Sequence, residues 1–200
     1  MGDGKDEAYS SSSTWESLRL KQDQVPWVEM VWFPHCIPRH SFHVWLIMKK
    51  KLKTQDKMQQ WDTSGSTNFN LMCCSLCKHG PDSHEHLFFE CDYAMQVWNL
   101  VKPLAAMERV SNRWDDIKRY LLFLTNKKSA KYVIGKLLVA ATAYFIWQER
   151  NNRLFSPVRR PATQLRDIIV STVRLKLVTM KFRRKTSGMS ILEDWKIPKS

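Results

Sequence analysis

Between Cys73 and Cys91 the chain reads CCSLCKHGPDSHEHLFFEC, nineteen residues that hold four of its five cysteines and three of its six histidines. Thiols and imidazoles at this density bind a metal, form a disulfide or react. The spacing favours a metal. Cys74, Cys77, His86 and Cys91 form C-x2-C-x8-H-x4-C: the C-x2-C pair lets two thiolates converge on one side of a tight turn, and the H-x4-C pair reaches the same point from the next turn and helix start, as structural zinc requires. Four protein ligands fill a tetrahedron and leave no open position for a reacting water, so the expectation is one structural Zn2+ without metal-assisted hydrolysis.

Energetics agree. The segment from 78 to 85, KHGPDSHE, offers almost nothing apolar to anchor it, and ordering its backbone costs on the order of 8 to 16 kcal/mol. Zinc bound to small peptide sites is worth an apparent ~10 to 16 kcal/mol near neutral pH, enough to offset that cost. Alternatives stay open at Cys73 against Cys74, and at His79 and His84 against His86. Adjacent cysteines point apart, so one of the pair ligates; the C-x2-C geometry favours Cys74, with Cys73 turned into the core. His84-Glu85-His86 lacks the H-E-x-x-H spacing that puts two zinc-protease histidines on one helix face, and there is no G-x-S-x-G or P-loop. No catalytic residue is assigned.

The elements that must position this cluster read as helices. Pro38 begins a helix on which Phe42, Trp45, Leu46, Met48 and Leu52 recur at helical spacing, ending in Lys49-Lys50-Lys51, where cations suit the dipole. Thr54 is a candidate N-cap for a short helix through Met58, and residues 62 to 70 form a polar loop. Helix-compatible spacing runs from His86 to Trp98, with Leu87, Cys91, Met95 and Trp98 on one face. Further helices are expected over 114–124, 129–155 and 162–185. Asp115-Asp116 opens the first of these, where acidic residues suit the dipole better than they suit a polymerase metal site. The fold class is therefore mostly α: a small zinc-stapled helical domain followed by a helical basic tail.

Two hundred residues with 44% hydrophobic content and nine tryptophans supply a real core. Most of the large aromatics, Trp32, Phe42, Trp45, Trp98 and Trp147 among them, are expected in it. The first 14 residues contain no apolar signal region, and the most apolar run, 133–147, is shorter than the roughly 20 residues of a membrane span and contains Lys136. It reads as a buried helix, with no transmembrane segment. The expected setting is a reducing intracellular compartment, nucleus or cytoplasm, where clustered cysteines bind metal or react rather than form structural disulfides.

Charge is unevenly distributed. From residue 150 onward there are thirteen Lys and Arg against three Asp and Glu, so this quarter carries +10 of the net +13. Such a patch has affinity for phosphate backbones, RNA or DNA, or for another anionic surface. The candidate phosphate contacts are Arg150, Arg153, Arg159, Arg160, Arg174, Lys176, Lys181, Arg183, Arg184 and Lys185. A protein partner docked on the basic amphipathic helix is the alternative. Oligomeric state is not legible.

Taken together, Val31-Trp32, Ile37-Pro38-Arg39-His40-Ser41-Phe42, Trp45, Leu52-Lys53-Thr54, Asp56, Cys74-x2-Cys77, His86-Leu87-Phe88-Phe89-Glu90-Cys91 and Val97-Trp98 resemble the zinc-binding domain that follows the reverse transcriptase in plant non-LTR, LINE-type retrotransposons. The stretch Tyr144-Phe145-Ile146-Trp147-Gln148-Glu149-Arg150 through Phe155 is similar to the helix that commonly follows that domain. The resemblance implies the same four ligands, a role in gripping RNA or target DNA, and a chain that is non-catalytic by itself, a fragment without the polymerase region. It divides the chain into a disordered polar leader (1–20), the zinc-binding domain (21–101), a helical region (102–155) and a basic amphipathic helix and tail (156–200).

Overall fold

The computed structural model describes residues 10–20, 23, 25–59, 73–123, 130–180 and 195–196. All regular structure among them is helical: α1 (Ser11–Leu18), α2 (Val28–Val31), α3 (Pro38–Met48), α4 (Gln55–Gln59), α5 (His84–Leu87), α6 (Asp92–Val101), a 3-10 turn (Lys102–Ala105), α7 (Trp114–Phe123), α8 (Ala130–Phe155) and α9 (Ala162–Val178). An isolated bridge between Cys73 and Pro81 is the only extended pairing among these residues. The expected loop over 62–70 and the residues Lys181, Arg183, Arg184 and Lys185 lie outside the described residues.

The architecture is organised around α8. Its Ala, Leu, Val and Ile residues are apolar nearly all round, the pattern of a helix enclosed by other helices, and Ile134, Leu138, Ala141, Ala143 and Ile146 are fully buried. By length and composition α8 would suffice to cross a membrane, yet 72% of its most apolar window is buried inside this fold. α3 packs on one side of it and α9 on another, while α6 lies against α9 and the 3-10 turn. The α9 contribution is a row at i, i+4, i+8 and i+12: Leu165, Ile169, Val173 and Leu177, all fully buried. Trp195 closes the end of the 3-10 turn, its indole N–H donating to the Leu104 carbonyl at 2.8 Å.

Several expectations need correction. Residues 11–18, placed in a disordered leader, form α1, capped by Ser10 and with no buried residue. α9 stops at Val178, short of 185, because Thr179 takes the C-cap and its hydroxyl donates to the Lys176 carbonyl. Thr54 does not cap α4: its hydroxyl is buried without a partner, and the Asp82 carboxylate accepts from the Gln55 N–H instead. Most of the aromatic core is as expected, with Trp98 fully buried, but Trp32 is 44% and Phe42 51% exposed.

Where α3 meets α8, His40 and His43 are buried with neither ring nitrogen hydrogen-bonded. His40 lies against Tyr144 and Phe145, and His43 against Phe88, Tyr144 and Trp147. Burial, aided by Arg39, lowers His40 to about 4, and burial, aided by His40 and His84, lowers His43 to about 3. Both rings are neutral in the fold. Because the unfolded chain takes up these protons near pH 6.5, their contribution is complete above that value and is lost as pH falls towards 4 and 3. Chemical denaturation measured from pH 7 to pH 4 therefore shows stability falling with acid, with a shallower slope in His43→Leu.

Candidate metal centre

The two halves of the Cys/His cluster are built by two backbone devices. In the first, the chain folds back on itself after the Cys73–Pro81 bridge. The Cys74 N–H donates to the Gly80 carbonyl at 2.6 Å and the Lys78 N–H to the Cys74 carbonyl at 2.8 Å, with Lys78 in the left-handed region at φ 67°. This turn presents Cys74 and Cys77 inward. In the second, Ser83 caps α5 and its hydroxyl accepts from the His86 N–H at 3.2 Å, fixing the backbone that carries the imidazole.

The helix expected to run unbroken from His86 to Trp98 is broken at Phe88–Cys91. Phe89 adopts φ 73°, and the Cys91 N–H reaches back to the His86 carbonyl at 2.7 Å. A left-handed phenylalanine is strained. It is held by burial of its ring, which stacks on Trp114 at 5.6 Å and meets the edge of Trp98 at 5.0 Å. The break makes Cys91 the N-cap of α6, so its sulfur sits where the helix dipole favours negative charge.

These devices bring Cys74, Cys77, His86 and Cys91 together, with all four candidate ligand atoms within 4.8 Å of one another. Cys74 Sγ and Cys91 Sγ are 3.8 Å apart, and Cys77 Sγ is 3.2 Å from His86 Nε2. Metal–sulfur bonds of about 2.3 Å in a tetrahedron place two sulfurs about 3.8 Å apart. The donor set thus fits zinc. The hydrogen bond shared with Cys91, with help from the Cys77 and Leu76 amides, pulls the Cys74 thiol down to about 5 against the effect of burial. The same bond and burial push Cys91 up. A cation bound here replaces the retained proton.

The remaining candidates are placed elsewhere. Cys73 is exposed beside the bridge, not turned into the core. His79 is exposed, and His84 is buried with Nε2 3.1 Å from the Leu52 carbonyl. Asp115 and Asp116 occupy the first turn of α7 in ion pairs with Lys118 and Arg119.

Three arginines expected to meet phosphates are held in ion pairs within the fold, Arg150 and Arg153 with little exposure and Arg160 half-buried. The Arg150 guanidinium pairs with the Asp82 carboxylate, their side chains 5% and 1% exposed. Arg153 bonds Glu149 at 2.9 Å and donates to the Leu76 carbonyl, between the two turn cysteines, at 2.8 Å. Arg160 also pairs with Glu149. Ser75 adds a hydroxyl bond to the Arg150 carbonyl. The C-terminal end of α8 thereby grips the cysteine turn and the loop that follows it. Of the other candidates, Arg159 and Arg174 are exposed and Lys176 is half-buried.

Gly80 was missed in the sequence because glycine has no ligand chemistry. A Cβ at this position would lie 2.5 Å from His86 Cε1 and 2.8 Å from both ring nitrogens. Only its position between the ligand pairs, in Lys78-His79-Gly80-Pro81, signalled a close approach. Gly80→Ala is expected to displace the His86 ring and weaken metal affinity on the order of 10- to 100-fold, measured by competition with a chromophoric chelator. Arg150→Ala leaves Asp82 buried and unpaired; a loss of about 3 to 5 kcal/mol is expected in denaturant titrations.

Residues 9–98 match the family model described as zinc-binding in reverse transcriptase. That segment contains all four residues of the cluster. No curated protein and no solved structure matches the chain.

Proposed function

We propose that this protein is a nucleic-acid-binding module stabilised by one structural zinc ion and non-catalytic by itself, derived from the C-terminal part of a reverse transcriptase of the plant non-LTR type. The observation that carries the proposal is the convergence of Cys74, Cys77, His86 and Cys91, within a segment matching a reverse-transcriptase zinc-binding family. Cys74 and Cys91 are fully buried, and four protein donors around one cation leave it nowhere to activate water. The ion's role is then to tie the cysteine turn to α6.

Reverse transcriptases act on RNA and DNA, and a chain with net charge +13 suits a polyanionic partner. With Arg150, Arg153 and Arg160 engaged internally, phosphate contacts fall to exposed cations such as Arg159 and Arg174, together with the basic residues 181 to 185. The alternative, a protein partner docked on the apolar face of α9, has less support because Leu165, Ile169, Val173 and Leu177 already face α6 and α8. Five cysteines with no disulfide among them suit a reducing setting, nucleus or cytoplasm.

The test combines metal analysis with salt-dependent binding. Protein purified without chelator should carry one zinc per chain, lost in Cys77→Ser and His86→Ala. Its affinity for RNA or DNA should fall steeply with salt, and the slope should shrink by about one for each phosphate-contacting cation replaced. A folded metal-free protein sinks the zinc half of the proposal, and indifference to nucleic acid at low salt sinks the other.

A further inference from the structure

The outer face of α3 carries two stacked aromatics with cations beside them. The helix buries His40, Ser41, His43, Val44 and Ile47. On the opposite side, Phe42, Trp45 and Lys49 follow one another at i, i+3 and i+7, one stripe of a helix. Phe42 is 51% exposed, and its ring stacks on Trp45 at a centroid distance of 5.6 Å and an interplanar angle of 22°. A half-exposed phenylalanine stacked on a tryptophan presents an aromatic face to water.

Cations flank this pair at both ends. Arg39, one turn before Phe42, is exposed and lies 5.6 Å from the Tyr144 ring centroid. Lys49 Nζ is 5.6 Å from the Trp27 ring centroid, and Lys50 and Lys51 follow in the left-handed turn that ends the helix. Residues 38 to 53 contain five Lys and Arg and no Asp or Glu. Glu85 is brought to this edge by its ion pair with Lys50, on which Asp115 and Asp56 also act; Arg39, Lys49 and Lys51 are exposed.

We infer that the Phe42–Trp45 face of α3 is a stacking platform for single-stranded nucleic acid, with unpaired bases laid on Phe42 and the backbone phosphates met by Arg39, Lys49 and Lys51. The inference rests on the nucleic-acid reading above and assigns it a surface apart from the basic C-terminal residues. Stacking needs a base whose face is free, so a duplex, which hides its base faces, gains only the charge contribution. The positive edge also disfavours a basic protein partner and suits a phosphate chain.

The test uses the full, zinc-loaded chain and fluorescence anisotropy with a labelled single-stranded RNA and its duplex. Phe42→Ala is expected to weaken single-strand binding on the order of tenfold without changing the salt slope, while duplex affinity stays the same; Phe42→Trp should retain single-strand affinity. Lys49→Ala combined with Lys51→Ala should reduce the single-strand salt slope by about 1.4. Because Phe42 is exposed, unchanged zinc content checks that the Ala variant is folded. If the wild type binds and Phe42→Ala binds equally well, the platform is overturned while the module reading stands; if the wild type binds neither probe at low salt, both fall. Self-association abolished by Phe42→Ala, with RNA affinity unchanged, would assign this face to a second copy and likewise overturn the inference.

Discussion

A buried ion pair, Asp82 with Arg150, ties the loop between the cysteine turn and His86 to the long central helix. Asp82 lies in the loop between Cys77 and His86, and Arg150 lies 68 residues further on near the end of α8. Taking both charges out of water is costly, and the pair is tolerated because the guanidinium meets both carboxylate oxygens and donates to Asn151 as well. The carboxylate also accepts the Gln55 N–H that starts α4, and the Asp82 carbonyl accepts from Asp56. One side chain thus registers three segments. The loop composition KHGPDSHE has no apolar anchor of its own, so it is held by polar contacts: this ion pair, the Cys74 amide on the Gly80 carbonyl and His84 against the Leu52 carbonyl.

Neighbouring contacts extend this hold. Arg153 holds the Leu76 carbonyl, and Glu149 holds Arg153 and Arg160, so the cysteine turn rests on a charged cradle at the end of α8. On the other side, the break after His86 is enforced by the burial of Phe89 between Trp98 and Trp114. A left-handed backbone is retained there because the alternative would expose a large aromatic ring. Hydrophobic burial on one flank and ion pairing on the other therefore aim the four donors at a common point.

Much of this was legible in the sequence, and the misses have physical reasons. The C-x2-C-x8-H-x4-C spacing named the four converging residues because ligand chemistry and turn geometry leave few options. Helical periodicity placed α7 and α8 to within a residue and the start of α3, whose end it set about three residues late, since long apolar repeats are the strongest local signal. The continuous helix through Cys91 failed because periodicity is blind to a break held by tertiary burial. Arg150 and Arg153 were misread as surface charges because partners such as Asp82, far away in the chain, leave no local mark. Thr54 was misread for the same reason: its capping role passed to a residue that sequence proximity does not suggest. Phe42 shows the opposite error, an aromatic at core-like spacing that is 51% exposed, on a face that no other described residue covers.

The gripping of the cysteine turn by α8 also bears on where a self-sufficient piece of this chain begins and ends. The stretch that matches the zinc-binding family stops at residue 98, but its interior does not. Asp82 has its countercharge, and α6 much of its cover, on helices that come later. A polypeptide cut at that boundary would keep every sulfur and imidazole, yet carry an orphaned acid and a bare apolar flank. The smallest autonomous unit is accordingly longer than the motif by which it is recognised.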